Sequence, residues 1–198
     1  KHHGYEFQES KAKNIYKDSK DLIATLPKDT VYKELIQESI RQLNLVSENV
    51  EHIRKAMNEL ASTLPEYDTV MNMYGVGPTF GPQLIAEIGD ISRFQHREAL
   101  TAYAGVDPGK NDSGQEVHTS SHASKCGSSR LRHTLFQIMS AMLQNGAKED
   151  DAVSRFLFKK KAENKPYLVY MTAGANKFLR VYYGKVKECL RNQEKAEQ

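Results

Sequence analysis

Apolar residues fall at helical spacing along most of the chain. Between Val31 and Thr63 they keep a seven-residue repeat. Ile36, Leu43, Val50, Met57 and Leu64 take one position of it; Val46, Ile53 and Leu60 take the partner position. Polar and charged side chains fill the rest. A narrow seam of this kind predicts a coiled coil or an antiparallel helical arm. Ser39 stands at a core position and weakens the first half of the seam. A long helix lying along a globular domain would give much of the same pattern, so both readings stand here. Before it, Tyr5 to Leu26 predicts a polar helix with Ile15, Tyr16, Leu22 and Ile23 as apolar anchors. Pro27 stops that helix, and Asp29 or Thr30 can cap the next.

Pro65 ends the arm, and shorter helices follow. Tyr67 to Met73 is amphipathic, then Gly75-Val76-Gly77-Pro78 turns the chain into a helix over Thr79 to Ile88. Helix, G-V-G, helix is the pattern of a helix-hairpin-helix. Glycines at Gly75 and Gly77 allow a sharp turn, and the second helix's N-terminal N–H groups can take a phosphate. A plain helical hairpin with a glycine turn would look similar. Ile91, Phe94 and His96 to Tyr103 predict another short helix after the break at Gly89-Asp90. A helix of roughly Arg130 to Gln144, capped by Ser128 or Ser129, carries Leu131, Leu135, Ile138, Met139 and Met142 as its stripe. Asp151 to Ala162 turns Val153, Phe156 and Leu157 inward. The last helix, about Tyr167 to Arg191, carries Leu168, Met171, Phe178, Leu179, Val181, Tyr182 and Val186, with Gly174 and Gly184 arguing against its continuity. No stretch alternates convincingly at period two. The expected fold is all-α: a helical segment and coiled-coil arm over 1–65, then a compact helical domain over 66–198.

Tyr103 to Arg132 fits neither helix nor strand. Gly105, Pro108, Gly109, Asn111, Asp112 and Gly114 punctuate its first half; Ser120, Ser121 and Ser124 crowd its second. Loops of this length inside a domain are usually functional or disordered, and the helical flanks favour function. Ser113, before Gly114 on a tight turn, can present its hydroxyl freely, though turn chemistry alone would explain it. Such a hydroxyl is a nucleophile only with a base and with cations that stabilise the attacked group. His118, His122 and His133 are candidate bases, each also explicable as a structural or exposed residue. Lys125, Arg130 and Arg132 supply the cations.

Composition narrows the partners. Of 198 residues, 27% are charged and 39% hydrophobic, the balance of a globular chain. No apolar run could span a bilayer, so no membrane partner is expected. The formal net charge is +3, which by itself does not argue for nucleic acid. The distribution does: Lys159 to Lys161, Lys165, Lys177, Arg180, Lys185 and Lys187 join the loop cations in the C-terminal half. Cys126 and Cys189 have no metal-like spacing, so neither zinc nor a disulfide framework is expected. The chain begins at Lys1-His2-His3 without Met, as a piece of something longer would. It carries no signal sequence, and we expect a cytoplasmic, bacterial location.

The ordered set G-V-G-P (75–78), L-I-A-E-I-G-D (84–90), S-R-F (92–94), A-Y-A-G-V-D-P (102–108), S-G (113–114), S-K-C-G (124–127) and L-R (131–132) resembles the C-terminal domain of IS110/IS116/IS902 transposases and, further off, the Piv-type DNA invertases. The likeness covers about Tyr67 to Arg191, and the preceding coiled coil also matches that family. It implies a DNA recombinase of a mobile element. In such proteins an N-terminal RuvC-like domain holds Mg²⁺ on four acidic residues, and a serine of the C-terminal domain attacks DNA. Some members use a structured guide RNA as a partner. By motif position the serine carried over is Ser113, with Ser124 second; Lys125, Arg130 and Arg132 would clamp phosphates. Asp107 and Asp112 add negative charge that the family often lacks. No acidic tetrad is visible, so no cofactor is expected in this piece, which alone should be inactive. DNA is the expected partner, with self-association through the coiled coil. A non-catalytic helix-hairpin-helix DNA-binding module and a purely interacting helical protein are the rival readings.

Overall fold

In the computed structural model, residues 9–23, 30–107, 123 and 125–196 are described. Among them the chain is all-α. Its helices are α1 (Glu9–Ile23), α2 (Thr30–Ala61), α3 (Tyr67–Met71), α4 (Gly77–Ile88), α5 (Arg97–Ala104), α6 (Ser129–Asn145), α7 (Ala152–Ala162) and α8 (Tyr167–Ala196), with a 3-10 turn at Ile91–Arg93. The chain divides into two compact units, Lys1–His52 and Ile53–Gln198. No helix among the described residues is long and apolar enough to cross a membrane.

In the first unit the α2 seam is bare: Ile36, Leu43, Val46 and Val50 are all exposed. Ser39, at its weak position, turns its hydroxyl back to the Leu35 carbonyl at 2.8 Å. The second unit holds the core. Leu84, Ile88, Leu100, Leu131, Leu135, Ile138, Met139, Met142, Leu157, Met171 and Phe178 are fully buried there. Each large apolar side chain so buried contributes about 1.5–3 kcal/mol. The α6 stripe is therefore the one its spacing predicts. The last turn of α2 belongs to this unit: Ala61 is buried and Tyr67 donates to the Asn58 side chain at 2.9 Å.

Helix α8 is the axis, packing on α3, α5, α6 and α7, while α4 packs on α6. Helix α8 runs through Gly174 without interruption, as the span predicted for the last helix requires. A Cβ at Gly174 would come within 2.8 Å of both Leu157 and Met139, so the missing side chain lets α6 and α7 approach α8 closely. Packing outweighs the helix-propensity penalty of about 1 kcal/mol. Leu168 departs from its expected inward position and is exposed on the first turn of α8. Local caps fix the helix starts: His96 Nδ1 accepts from Ala99 N–H, Ser128 Oγ from Leu131 N–H and Asp151 Oδ1 from Ser154 N–H.

Candidate nucleic-acid interface

The residues singled out in the sequence fall at two ends of the α4–α6 pair. Gly75 lies against the C-terminal half of α6, where a Cβ would meet Met142 Cγ at 2.7 Å and the Ile138 carbonyl at 3.2 Å. At the other end Ser128, the α6 cap, donates to Glu87 Oε2 near the end of α4 at 3.2 Å. Helix α4 has 12 residues, so the two ends lie roughly 15–18 Å apart at the 1.5 Å rise of a helix. The glycine hairpin and the cationic loop are thus separate contacts.

At the hairpin end, Gly75 has φ +80° and Gly77 has φ +59°. No side chain caps α4 there, and Pro78 occupies its first turn. The two glycines differ in what they do. Gly75 combines a left-handed backbone with tight packing on α6, whereas a Cβ on Gly77 would meet nothing within 4 Å. Gly77 therefore serves the turn, and Gly75 serves the core as well. A cation that the sequence did not single out stands beside them: Lys148 lies 5.4 Å from the centre of the Tyr74 ring, and the Tyr74 hydroxyl donates to the Gly146 carbonyl at 2.8 Å.

At the loop end, residues 103–107 and 125–128 are drawn together. Ser128 N–H donates to the Tyr103 carbonyl at 2.7 Å and Lys125 N–H to the Gly105 carbonyl at 3.2 Å. Gly127 sits so close that a Cβ there would collide with the Tyr103 carbonyl oxygen. Gly105, at φ +65°, ends α5 and leaves space for Arg132 and the Lys125 backbone. Asn176 of α8 donates to the Val106 carbonyl at 3.3 Å, which ties the base to the axis of the fold. The base is a closed clasp.

Cations surround this clasp. Arg132 is half-buried and donates from Nη1 to the Ala104 carbonyl at 3.0 Å, at the negative end of the α5 dipole. That bond occupies one of the five N–H donors a guanidinium carries. Lys125 is exposed, with a left-handed backbone at φ 51°. Arg130 is exposed and lines a cleft of about 450 Å³ with Met57, Gln83, Glu87, His133 and Thr134. Met57, a seam position by its spacing, is therefore on a cleft wall. Arg93 was not singled out as a site residue, yet its guanidinium lies 4.7 Å from the Phe94 ring centre and 4.6 Å from that of Tyr103. Stacking on two rings holds it in place. Its place in S-R-F, next to an aromatic, is the signal that could have found it.

Several expected contributors lie elsewhere. Ser113 and Ser124, like His118 and His122, fall outside the described residues. His133 is exposed on α6, its ring 3.3 Å from the Gln137 amide. Arg180, counted with the basic C-terminal half, is paired with Glu98 at 3.1 Å, as is Arg97 at 2.8 Å. The Arg97 hydrogen bond and the positive charge of both arginines hold the Glu98 carboxyl below its usual range. Cys126 and Cys189 are both free thiols.

Residues 67–153, from α3 to the start of α7, match the model of the Transposase IS116/IS110/IS902 family. The chain is 25% identical over 126 residues to the insertion element IS116 uncharacterized 44.8 kDa protein of Streptomyces clavuligerus, a match covering 63% of this chain and 31% of that protein. It is 39% identical over 62 residues to the pilin gene-inverting protein of Moraxella bovis, covering 31% of this chain and 19% of that one. The chain thus spans about a third or less of these relatives' length. Both ends of the α4–α6 pair and the clasp lie inside the region, residues 67–153, that is similar to the Transposase IS116/IS110/IS902 family.

Proposed function

We propose that this chain is the serine-bearing, DNA-gripping part of an insertion-sequence transposase. The observation that carries the reading is the cation-lined clasp, which gathers Arg93, Lys125 and Arg132 around residues 103–105 at the root of the serine-carrying loop. In the reaction, the Ser113 hydroxyl oxygen forms a bond to a DNA phosphorus while the phosphorus–oxygen bond to the leaving strand breaks. The proton lost by serine ends on the leaving deoxyribose oxygen. Attack of a second strand's hydroxyl on the phosphoserine reverses these steps and rejoins DNA. Fixed cations act by stabilising charge on the phosphate as it is attacked.

Magnesium belongs in this reading to an acidic RuvC-like domain of the whole protein. Among the described residues no three His, Cys, Asp or Glu side chains gather as ion ligands, so none of them is assigned to it. The exposed α2 seam supports self-association, and a structured guide RNA remains part of the family-based expectation, as does a bacterial cytoplasmic location.

The test is Ser113→Ala in the full-length protein, with Ser124→Ala beside it. Ser113→Ala should abolish strand transfer and leave DNA affinity within about twofold, since phosphate contacts rather than one hydroxyl set affinity. Wild-type strand transfer in that variant would remove Ser113 from the mechanism.

A second reading, a non-catalytic helix-hairpin-helix module, is favoured by one feature: the two positive-φ glycines before an uncapped α4. It predicts salt-sensitive, sequence-independent DNA binding that depends on the hairpin and is indifferent to Ser113. Gly77→Val is the cleaner probe, because Gly75 substitutions also disturb α6.

A further inference from the structure

Beyond the family-matched region, the turn from α7 to α8 carries a charged and aromatic patch that belongs to neither the clasp nor the glycine hairpin. Lys159, Lys160, Lys161 and Lys165 stand there with Glu163 as the single acid between them. That segment has a net charge of +3, the same as the entire chain. The lysines crowd one spot: Lys160 hydrogen-bonds the Glu163 carboxylate at 2.8 Å, and it acts with Lys159 and Lys165 to hold that carboxyl below its usual range. Asn164, left-handed at φ 55°, makes the turn, and its N–H donates to the Lys161 carbonyl at 3.1 Å.

Aromatic and apolar surface continues from the lysines. Tyr167 is 52% exposed and meets Tyr170 edge-on, ring centres 5.5 Å apart. Leu168 and Val169, also exposed, flank it. Lys160 and Lys161 lie over the rings of Phe156 and Phe158, both at 5.8 Å. A purely solvated helix end does not need three consecutive exposed apolar residues, and a protein-docking patch is ordinarily depleted in lysine. Lysines close in sequence to an exposed tyrosine are the recognition chemistry of an unpaired polynucleotide, whose phosphates take the lysines and whose bases stack on the ring.

We infer that the α7–α8 turn, centred on Tyr167 and the Lys159–Lys161 run, binds a single-stranded nucleic acid segment. It is a site separate from the clasp residues and their duplex contact. Stacking by Tyr167 makes it favour unpaired over paired strands, and the lysines make it salt-dependent without base preference.

The experiment measures fluorescence anisotropy of the 198-residue chain with labelled oligo-dT, oligo-U and a DNA duplex. Tyr167→Ala should weaken both single strands by about tenfold, the loss of one base–aromatic stack, while Tyr167→Phe keeps the affinity and duplex binding is unchanged. Replacing Lys159 and Lys161 by Gln should make the salt slope for oligo-dT shallower by about 1.4. Preference for oligo-dT or for oligo-U would support the site and name its strand. Equal oligonucleotide binding by Tyr167→Ala and the parent overturns the proposal, and so does parallel loss of duplex binding. A changed oligomeric state in a Leu168→Ser, Val169→Ser variant with oligonucleotide binding intact would reassign the patch to protein contact. All these side chains are at the surface of an ordered turn, so helicity by circular dichroism should match the parent.

Discussion

Helices α2 and α6 carry the same kinds of apolar side chain and meet opposite fates. On α6, Leu131, Leu135, Ile138, Met139 and Met142 are completely buried; on α2, Leu43 is 65% exposed and Val46 57%. At 100° per residue the two stripes are about equally wide, so width does not separate them. Periodicity specified a helix and a face in both. It did not specify what covers the face, and Leu43 and Val46 stay exposed.

The contrast can be pressed by substitution. Phe178→Ala, in the core of α8, should cost about 3–5 kcal/mol in chemical denaturation, the usual toll for an emptied aromatic site. Gly127→Ala comes next, at about 2–4 kcal/mol, since the new methyl overlaps the Tyr103 carbonyl and the backbone is at φ +146°. Loss of the α7 cap in Asp151→Ala should remove about 1 kcal/mol. Leu43→Ala is the variant that could break the comparison. In a dilute monomer its effect stays within about 0.5 kcal/mol. If a second copy fills the seam, the same change should cost several times more, and the melting temperature of the parent should rise with protein concentration.

Affinity offers a finer test within the second unit. Arg93→Gln removes a charge held on two rings and should reduce the salt slope of duplex binding by about one. Lys148→Gln should do the same at the hairpin end. If the two losses add in the double variant, the ends of the α4–α6 pair grip DNA independently, as expected for contacts more than 10 Å apart.

Much of this architecture was readable beforehand. Pro65, Gly89-Asp90 and Asn145-Gly146 mark element ends through backbone rules that need no tertiary information, and Ser128 and Asp151 cap where their types suggest. Two details needed tertiary information. Gly174 weakened the pattern of a last helix that is continuous, because propensity is local, whereas its meaning lies in Leu157 and Met139 of other helices. Leu168 looked like core because an apolar residue at helical spacing usually is. The site residues divide the same way. Lys125, Arg130 and Arg132 were visible as cations next to a loop, but their separation from Gly75 and Gly77 depends on α4 and α6 lying side by side. Arg93 and Lys148 owe their fixed positions to Tyr103 and Tyr74, and residues 10 and 74 apart in sequence do not advertise such pairings.

The clasp at Tyr103, Gly105, Lys125 and Ser128 has a practical consequence. Its bonds run between backbone groups of residues 103–105 and 125–128. A foreign segment joined to the two halves of the clasp should inherit the same anchorage. Such an exchange should leave the melting behaviour of the described helices unchanged.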